Sequence, residues 1–460
     1  MCMWHKAGGK IGVLLHFLLT GIPAFLSAQE KPVVLTGGTV IDVDNYGKSE
    51  NDIEQAVVVI EKGIITAVGK KGAIRIPAEA KIIDVSGKYI VPGLIDGFAT
   101  LNNQAYANAF LYTGVTTAVM VDGQRRGDIC WDASPSPAKI KFDSYWGADG
   151  EQDESGKLVS TNHRNEAQIR HEIDSLAKNG VKVLLLHYGV KNEQLPAIVA
   201  ACKKNHIVTI GELGLASYKA AVKAGVQGFV HTTRYAADML PESARKEYAV
   251  APFGPPARYF YRYLMLQQQN LPGDQRLKEL SVLYGNAAAG LMPTASMMIY
   301  PALPFAKNSW KEPAASIIDV KDIDHRPLDK QTGKHTDAAP SFDTIARLVV
   351  EIDRMFVKAG AKYVTGSGSD AFGAIPGVSL HAELAMLSHF GLSNREALAA
   401  ATNNFSLLWD WKHIGKIEKG READILVLNA DPLESVNNLQ SIELLILDGT
   451  IINRKQLLEK

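Results

Sequence analysis

Short apolar segments separated by turn residues mark both ends of the chain. Near the N-terminus, VVLTGGTVIDV, AVVVIEKGIITAVGK and KIIDVSGKYIV are rich in Val and Ile and are interrupted by Gly-Gly, Lys-Gly and Ser-Gly. GKIEKGREADILVLN and IELLILDGTIINRK repeat the pattern near the C-terminus. Such patterning is typical of strands joined by tight turns. Residues 29–90 and 413–460 are therefore predicted to form one small composite β-sandwich from both termini.

Between these ends, residues 91–412 alternate apolar strand patterns with helical patterns such as NEAQIRHEIDSLAKNG and LASYKAAVKAGV. Alternation of this kind indicates an α/β protein with a parallel sheet, and eight strands fit a (β/α)8 TIM barrel. An open doubly wound sheet is disfavoured because no GxGxxG turn follows any strand. The eight predicted strands are Tyr89–Phe98, Val115–Val121, Lys139–Tyr145, Val181–His187, Ile207–Glu212, Val226–His231, Leu291–Ile299 and Lys362–Ser367.

The first 28 residues differ from the rest of the chain. Two lysines precede an apolar run from Ile11 to Phe25, and Ala28 offers a small residue at a cleavage point. This pattern predicts a secretory signal peptide over residues 1–28, and hence a secreted or periplasmic protein. A membrane anchor is disfavoured because the run is short and contains His16 and Pro23. No membrane association is expected after cleavage.

Composition narrows the classes of partner. Hydrophobic residues make up 46% of the 460 positions, which is enough for a large core. Lys+Arg and Asp+Glu balance at 49 each, so nothing in the charge favours nucleic acid or an anionic surface. After signal cleavage Cys130 and Cys202 remain, and they either pair or stay as separate buried thiols.

Six motifs, taken in their order, resemble the amidohydrolase superfamily, closest to its imidazolonepropionase and prolidase-like branch. The resemblance implies the barrel and composite sandwich described above. It also implies hydrolysis of C–N bonds in a small amide or dipeptide-like ligand, assisted by one or two divalent, zinc-like metals. The motifs are VPGLID (91–96), TGVTTAVM (113–120), KAGVQGFVH (223–231), GSDAFG (368–373), GLSNREALAAATNNFSLLW (391–409) and GKIEKGREADILVLNADPL (415–433).

Several metal ligands that the resemblance implies are replaced in this chain. The paired histidines of the first strand are replaced by Phe98 and Thr100. The strand-four lysine position falls on Leu185, and the strand-five histidine position falls on Gly211 or Leu213. His231 on strand six and Asp370 after strand eight are retained, and Asp370 is the implied catalytic base.

Two hypotheses follow from these replacements. In the first, one divalent metal binds a rebuilt set of His187, Glu212, His231 and Asp370, although strand alternation could turn Glu212 outward. In the second, the protein is a non-catalytic relative that binds a ligand or a competent amidohydrolase, or forms a homo-oligomer. The second hypothesis predicts that Phe98, Leu185 and Leu213 fill the mouth of the barrel with apolar packing. It also predicts that His231 bonds to a neighbouring residue.

Overall fold

The computed structural model describes residues 31–121, 128–145, 164–250, 255–323, 328–329, 334–335 and 342–459. The predicted signal peptide, residues 1–28, lies outside the described residues. Within the described part of the chain, no helix is both long and apolar enough to cross a lipid bilayer. Cys130 and Cys202 are separate, buried thiols.

Strands from both ends of the chain share one sheet, separate from the central one. Its order is β18-β17-β16-β5-β1-β2-β3, with β4 paired to β1. The two ends meet where β5 and β16 pair antiparallel. The structure gives these strands as a single sheet, so the two-layer packing of a sandwich stays a prediction. The strands are β1 Val33–Val40, β2 Ile53–Glu61, β3 Ile64–Lys70, β4 Lys81–Asp84, β5 Tyr89–Pro92, β16 Ile425–Leu428, β17 Ile442–Leu447 and β18 Thr450–Ile452.

Two hairpins in this sheet turn on dipeptides that end in glycine, and the sequence pattern marked the first of them. Lys62 and Gly63 join β2 to β3, and Asp448 and Gly449 join β17 to β18. All four residues have positive φ. Two-residue hairpin turns of this kind match the twist of the flanking strands and favour glycine at the second position.

The central sheet contains eight parallel strands whose spatial order follows the chain. Its edge strands also bond to one another, since the Gly97 N–H donates to the Thr365 carbonyl at 2.9 Å and the Gly368 N–H to the Phe98 carbonyl at 2.7 Å. A curled parallel sheet of eight strands is consistent with the predicted barrel. The strands are β6 Leu94–Ala99, β7 Val115–Met120, β8 Ala138–Tyr145, β9 Val183–Leu186, β10 Val208–Gly211, β11 Gly228–Val230, β12 Gly290–Met292 and β15 Lys362–Tyr363.

Two of the predicted strands were wrong in part. The segment Tyr89–Phe98 divides at Gly93, so that its first half joins the terminal sheet and its second half becomes β6. A Cβ atom at Gly93 would lie 2.1 Å from Thr116 Oγ1, so the chain passes from one sheet to the other at a residue with no side chain. The segment Leu291–Ile299 is a strand only as far as Met292 and then turns into a short helix.

Helices connect most of the parallel strands, and the two amphipathic segments singled out from sequence form α2 and α4. Asn165 begins α2 with a capping box to Gln168, and Gly225 at φ 88° ends α4. A two-stranded ribbon, β13 Leu328–Asp329 and β14 Lys334–His335, lies in the long segment before α10. The helices are α1 Gln104–Tyr112, α2 Glu166–Lys178, α3 Leu195–Lys204, α4 Tyr218–Ala224, α5 Thr232–Tyr235, α6 Glu242–Val250, α7 Pro255–Gln267, α8 Gln275–Asn286, α9 Ala295–Met298, α10 Phe342–Lys358, α11 Val378–Phe390, α12 Asn394–Ala400 and α13 Asn403–Trp409.

An apolar cluster draws on seven of the eight parallel strands and on α13. Phe98 from β6, Phe142 from β8, Leu185 from β9 and Met292 from β12 all belong to it, together with Trp409. The interior of the curled sheet is therefore filled by apolar side chains. Polar side chains lie beyond this cluster, where the strands end.

Candidate functional site at the carboxyl ends of the parallel strands

Three of the four predicted ligands meet where three neighbouring strands end. His187 follows β9, Glu212 follows β10 and His231 follows β11. The Nε2 atoms of His187 and His231 lie 3.7 and 4.0 Å from the same atom, Glu212 Oε2. All three side chains are buried. Glu212 joins the cluster because β10 ends at Gly211, so the alternation that would have turned its side chain outward no longer applies.

Two residues that the sequence interpretation missed hold the other oxygen of Glu212. Arg234 Nε lies 3.2 Å from Glu212 Oε1, and the Tyr188 hydroxyl donates to Oε1 at 2.5 Å. Both follow a recognised residue closely: Tyr188 is the neighbour of His187, and Arg234 lies three residues, one helical turn, after His231. That spacing was the sequence signal by which Arg234 could have been found. A residue one turn into the helix that follows a strand lies at the same end of the barrel as the end of that strand.

The charges in this cluster are set by burial and by Arg234. Burial alone would raise the pKa of Glu212, but the nearby His231, His187 and Arg234, with the hydrogen bond from Tyr188, together lower it. Burial lowers the pKa of His187 to about 4, so this imidazole is neutral at pH 7. Glu212 and Arg234 therefore form a buried ion pair beside a neutral histidine.

Hydrogen bonding fixes the tautomer of His231. The Thr294 hydroxyl donates its only hydrogen to the Pro293 carbonyl at 2.7 Å, and its oxygen lies 2.6 Å from His231 Nδ1. Nδ1 must then carry a proton and donate it, which leaves Nε2 of the neutral ring as an acceptor facing Glu212. His231 and Thr294 both have positive φ, at 63° and 48°, where β11 and β12 turn into short helices. Backbone strain of this kind concentrates at functional sites.

Side chains make packing contacts at the positions where the resemblance implies replaced ligands. The Phe98 ring contacts the His231 ring edge to face, with centroids 5.3 Å apart. Leu185 packs in the same apolar cluster as Phe98, whereas Leu213 is buried in a different one. At Gly211 an added Cβ would lie 3.1 Å from the Phe229 ring. Neither Phe98 nor Leu185 offers an atom that could bind a metal.

Asp370 is tied to the loop that follows β6. Its Oδ2 accepts hydrogen bonds from Asn102 Nδ2 at 3.0 Å and from the Tyr106 hydroxyl at 2.9 Å. Thr100 donates to Asn102 Oδ1 at 2.8 Å and so belongs to the same network. Among the described residues, no group of three or more His, Cys, Asp and Glu side chains has the arrangement of a metal site.

Comparison with known proteins identifies the fold. No protein-family model matches the sequence. A segment is 31% identical over 128 residues to adenine deaminase 1 of Desulfotalea psychrophila, which covers 25% of this chain and only 20% of that protein. The chain thus spans about a fifth of the curated relative that it matches.

Solved structures match over nearly the whole chain at low identity. A proposed prolidase from Bifidobacterium longum is 20% identical with a TM-score of 0.61, covering 92% of this chain and 94% of that one. A Xaa-Pro dipeptidase with bound methionine is 16% identical with a TM-score of 0.61, covering 92% and 100% of the two chains. Molinate hydrolase is also 16% identical with a TM-score of 0.61, covering 93% and 96%. The resemblance seen in the sequence motifs is therefore confirmed: this chain has the fold of prolidase- and amidohydrolase-type proteins.

Proposed function

We propose that this chain is an amidohydrolase-type (β/α)8 barrel that binds a small amide- or dipeptide-like molecule without the conventional dinuclear metal centre. The barrel would span residues 91–412, clasped by a composite sandwich from residues 29–90 and 413–460. Ligand sites in such barrels lie at the carboxyl ends of the strands. His187, Glu212 and His231 are at those ends.

One observation carries the proposal: the buried Arg234–Glu212 ion pair, with Nε and Oε1 3.2 Å apart. It places a permanent positive charge beside the carboxylate that a rebuilt metal site would need. A divalent cation next to Glu212 would be repelled by that guanidinium in a site of low dielectric constant. The apolar contact of Phe98 with His231 acts in the same direction, because it places an apolar ring against the histidine retained from the implied ligand set.

A second candidate function is hydrolysis of C–N bonds with one zinc-like divalent metal. The positions of the two histidine Nε2 atoms favour it, since both face Glu212 Oε2 and the His231 tautomer presents a lone pair. His187, Glu212 and His231, with Asp370, would hold the ion and Asp370 would accept a proton. A metal bound there lowers the pKa of its water toward neutrality.

Elemental analysis of the purified chain, dialysed without chelator, separates the two candidates. The ligand-binding proposal predicts less than one-tenth of an equivalent of zinc, manganese, iron or cobalt, as an order-of-magnitude expectation for a site without preorganised ligands. Stoichiometric metal that is lost in Glu212→Gln and in Asp370→Asn would overturn it in favour of the hydrolase. Glu242→Gln is the matched control, because Glu242 is exposed and pairs with Lys246 one turn along the same helix.

Binding itself is tested by calorimetric titration with a panel of dipeptides and their amides. The proposal expects saturable binding that weakens in His187→Ala. Absence of binding across the panel would contradict it.

The localisation of this chain and its association with other proteins are also proposals. We propose that the chain is secreted or periplasmic after cleavage at Ala28. We also propose that it pairs either with itself or with a competent amidohydrolase. Mass spectrometry of the N-terminus and light scattering of the mature chain test these two points.

A further inference from the structure

The connections that lead from a helix into the next parallel strand are rich in lysine. Because the strands are parallel, these connections lie at the amino ends of the strands, opposite to the candidate site. Four of them are KNGVK (178–182), KKNHI (203–207), KAGVQ (223–227) and KAGAK (358–362). None of these four described segments contains Asp or Glu. Their lysines define what we call the basic face: Lys178, Lys182, Lys203, Lys204, Lys223, Lys358 and Lys362.

Part of the basic face is continuous from strand to strand. The Lys182 N–H donates to the Lys141 carbonyl at 2.8 Å, and the Lys182 carbonyl accepts from the Val208 N–H at 2.8 Å. Neighbouring strands lie about 4.8 Å apart, so the exposed side chains of Lys141 and Lys182 begin next to each other. Lys204 pairs with Asp174 at 3.4 Å, but an ion pair exposed in this way neutralises little of the charge.

Two lysines also face each other on this side of the molecule. Burial, and then the nearby charge of Lys48, lower the pKa of Lys362. Lys362 Nζ donates to the Gly285 carbonyl at 2.9 Å, which is a neutral acceptor. Like charges held near one another cost free energy, and a bound anion would reduce that cost.

An apolar side chain is exposed at the same end of the barrel. Helix α13 covers the amino ends of β11 and β15, since Gln227 Nε2 donates to the Leu408 carbonyl at 3.3 Å and Asn404 Nδ2 to the Tyr363 carbonyl at 2.8 Å. Leu407 is 44% exposed, whereas the other six residues of this helix are buried. Leu407 therefore points away from the interior of the barrel, toward the side on which the lysines lie.

We propose that the basic face is a docking surface for an anionic lipid bilayer. Lysines attract acidic headgroups, and apolar side chains among them enter the boundary between headgroups and acyl chains. Leu407 supplies such a side chain, and Trp411, half-buried and stacked on Phe405 with centroids 5.9 Å apart, lies close to it in the sequence. A nucleic acid or an acidic protein would use the lysines but would gain less from Leu407.

This inference goes beyond the proposed function and does not depend on it. The chain-wide balance of 49 basic and 49 acidic residues conceals the local excess of lysine, so composition gave no reason to expect a membrane. Docking through the amino ends of the strands would leave the opposite end of the barrel, with His187 and Glu212, facing the solution.

Co-sedimentation of the purified chain with lipid vesicles at pH 7 tests the proposal. Vesicles of phosphatidylcholine with about 30 mol% phosphatidylglycerol carry the anionic surface, and vesicles of phosphatidylcholine alone are the comparison. We expect binding to the anionic vesicles to be about tenfold tighter or more, and to weaken steeply between about 0.05 and 0.5 M sodium chloride. Equal binding to both kinds of vesicle, or binding to neither, would overturn the proposal.

A triple variant locates the binding on the basic face. Lys182→Gln, Lys203→Gln and Lys204→Gln together remove three exposed charges, and they should weaken binding to the anionic vesicles roughly 100-fold. Circular dichroism of the variant checks that it folds.

The matched control carries the same change of net charge in the terminal sheet. Lys70→Gln, Lys71→Gln and Lys81→Gln replace three exposed lysines in and beside β3 and β4, and this variant should bind as the wild type does. If the two triple variants bind the anionic vesicles equally well, the proposal fails.

Leu407→Ser distinguishes a bilayer from other polyanions. This variant should weaken binding to the anionic vesicles about three- to tenfold, because less apolar surface leaves water, and should leave binding to poly-L-glutamate unchanged. Wild-type chain that binds poly-L-glutamate or duplex DNA but not the anionic vesicles would show that the basic face serves an acidic macromolecule, and the lipid proposal would be wrong. The dipeptide titrations test the proposed function separately from all of these outcomes.

Discussion

Two buried carboxylates in this protein are both bonded to tyrosine, yet their ionisation differs. Asp353 on α10 accepts hydrogen bonds from Thr232, Tyr235 and Tyr363 at 2.7 to 3.0 Å. Burial raises its pKa to about 7. Glu212 accepts from Tyr188 but also faces Arg234, and its pKa is lowered.

The comparison shows what a single cation changes. Hydroxyl groups alone satisfy Asp353 without fully stabilising its charge, so it behaves as a polar joint between α5, α10 and β15. Arg234 turns the corresponding arrangement at Glu212 into a permanent pair of charges. A buried carboxyl group needs hydrogen-bond partners in either protonation state. A buried carboxylate that stays ionised also needs an opposite charge held beside it.

Among variants that would remove the difference between Glu212 and Asp353, Arg234→Met is expected to have the largest effect on stability. Removing the guanidinium leaves Glu212 as an uncompensated buried charge, which costs about 3–5 kcal/mol of unfolding free energy. Urea unfolding at pH 7 measures it. The double variant Arg234→Met with Glu212→Leu should recover most of the loss, because an apolar pair of similar volume replaces the ions. A loss below about 1 kcal/mol in the single variant would mean that Glu212 is not ionised.

An effect of comparable size is expected from pH at Asp353. Its pKa of about 7 in the folded protein exceeds the ordinary value of 3.8, so the folded chain holds a proton that the unfolded chain releases. Its contribution to stability is therefore complete below about pH 4 and is lost as pH rises through about 7, with a total on the order of 4 kcal/mol.

Unfolding free energies of wild type and Asp353→Asn between pH 4 and 8 check this prediction. The difference between wild type and variant should shrink as pH rises. A difference that is flat across the range would show that Asp353 keeps an ordinary pKa in the folded protein.

The smallest effects on stability are expected from removing single tyrosine hydroxyl groups. These variants sharpen the comparison between Glu212 and Asp353. Tyr188→Phe removes a hydrogen bond to an ionised carboxylate and should cost about 1.5–3 kcal/mol. Tyr235→Phe, measured at pH 6 where Asp353 is mostly protonated, should cost about 0.5–1.5 kcal/mol. Chemical denaturation of both variants at that pH shows which of them loses more unfolding free energy. Tyr235→Phe costing more than Tyr188→Phe would contradict the assignment of charge.

Much of the fold followed from local patterns. Apolar runs overlapped all eight parallel strands. His187, Glu212 and His231 lie close together where neighbouring strands end. Gly93 was read as part of one strand because a continuous apolar run does not reveal that its halves join different sheets. The second half of Leu291–Ile299 is equally apolar as a helix, so periodicity could not separate the two.

The site was harder to predict than the fold. Arg234 and Tyr188 are brought into contact with Glu212 by the tertiary structure. In the sequence, a single Arg or Tyr near a strand end does not match any metal-ligand motif. The assignment of Asp370 as catalytic base and of the four-residue metal set stays a prediction. The hydrogen bonds of Asp370 to Asn102 and Tyr106 involve a loop whose path no sequence spacing discloses.

The pairing of β5 with β16 has a consequence for the order of folding. Residues 89–92 bond to residues 425–428, more than three hundred positions away along the chain. Contacts that distant form late, because closing so long a loop costs entropy before any contact repays it. Until then β5 has an unpaired edge, which is the kind of surface that chains use to associate wrongly. The strands made first therefore depend, for their final partner, on the part of the chain made last.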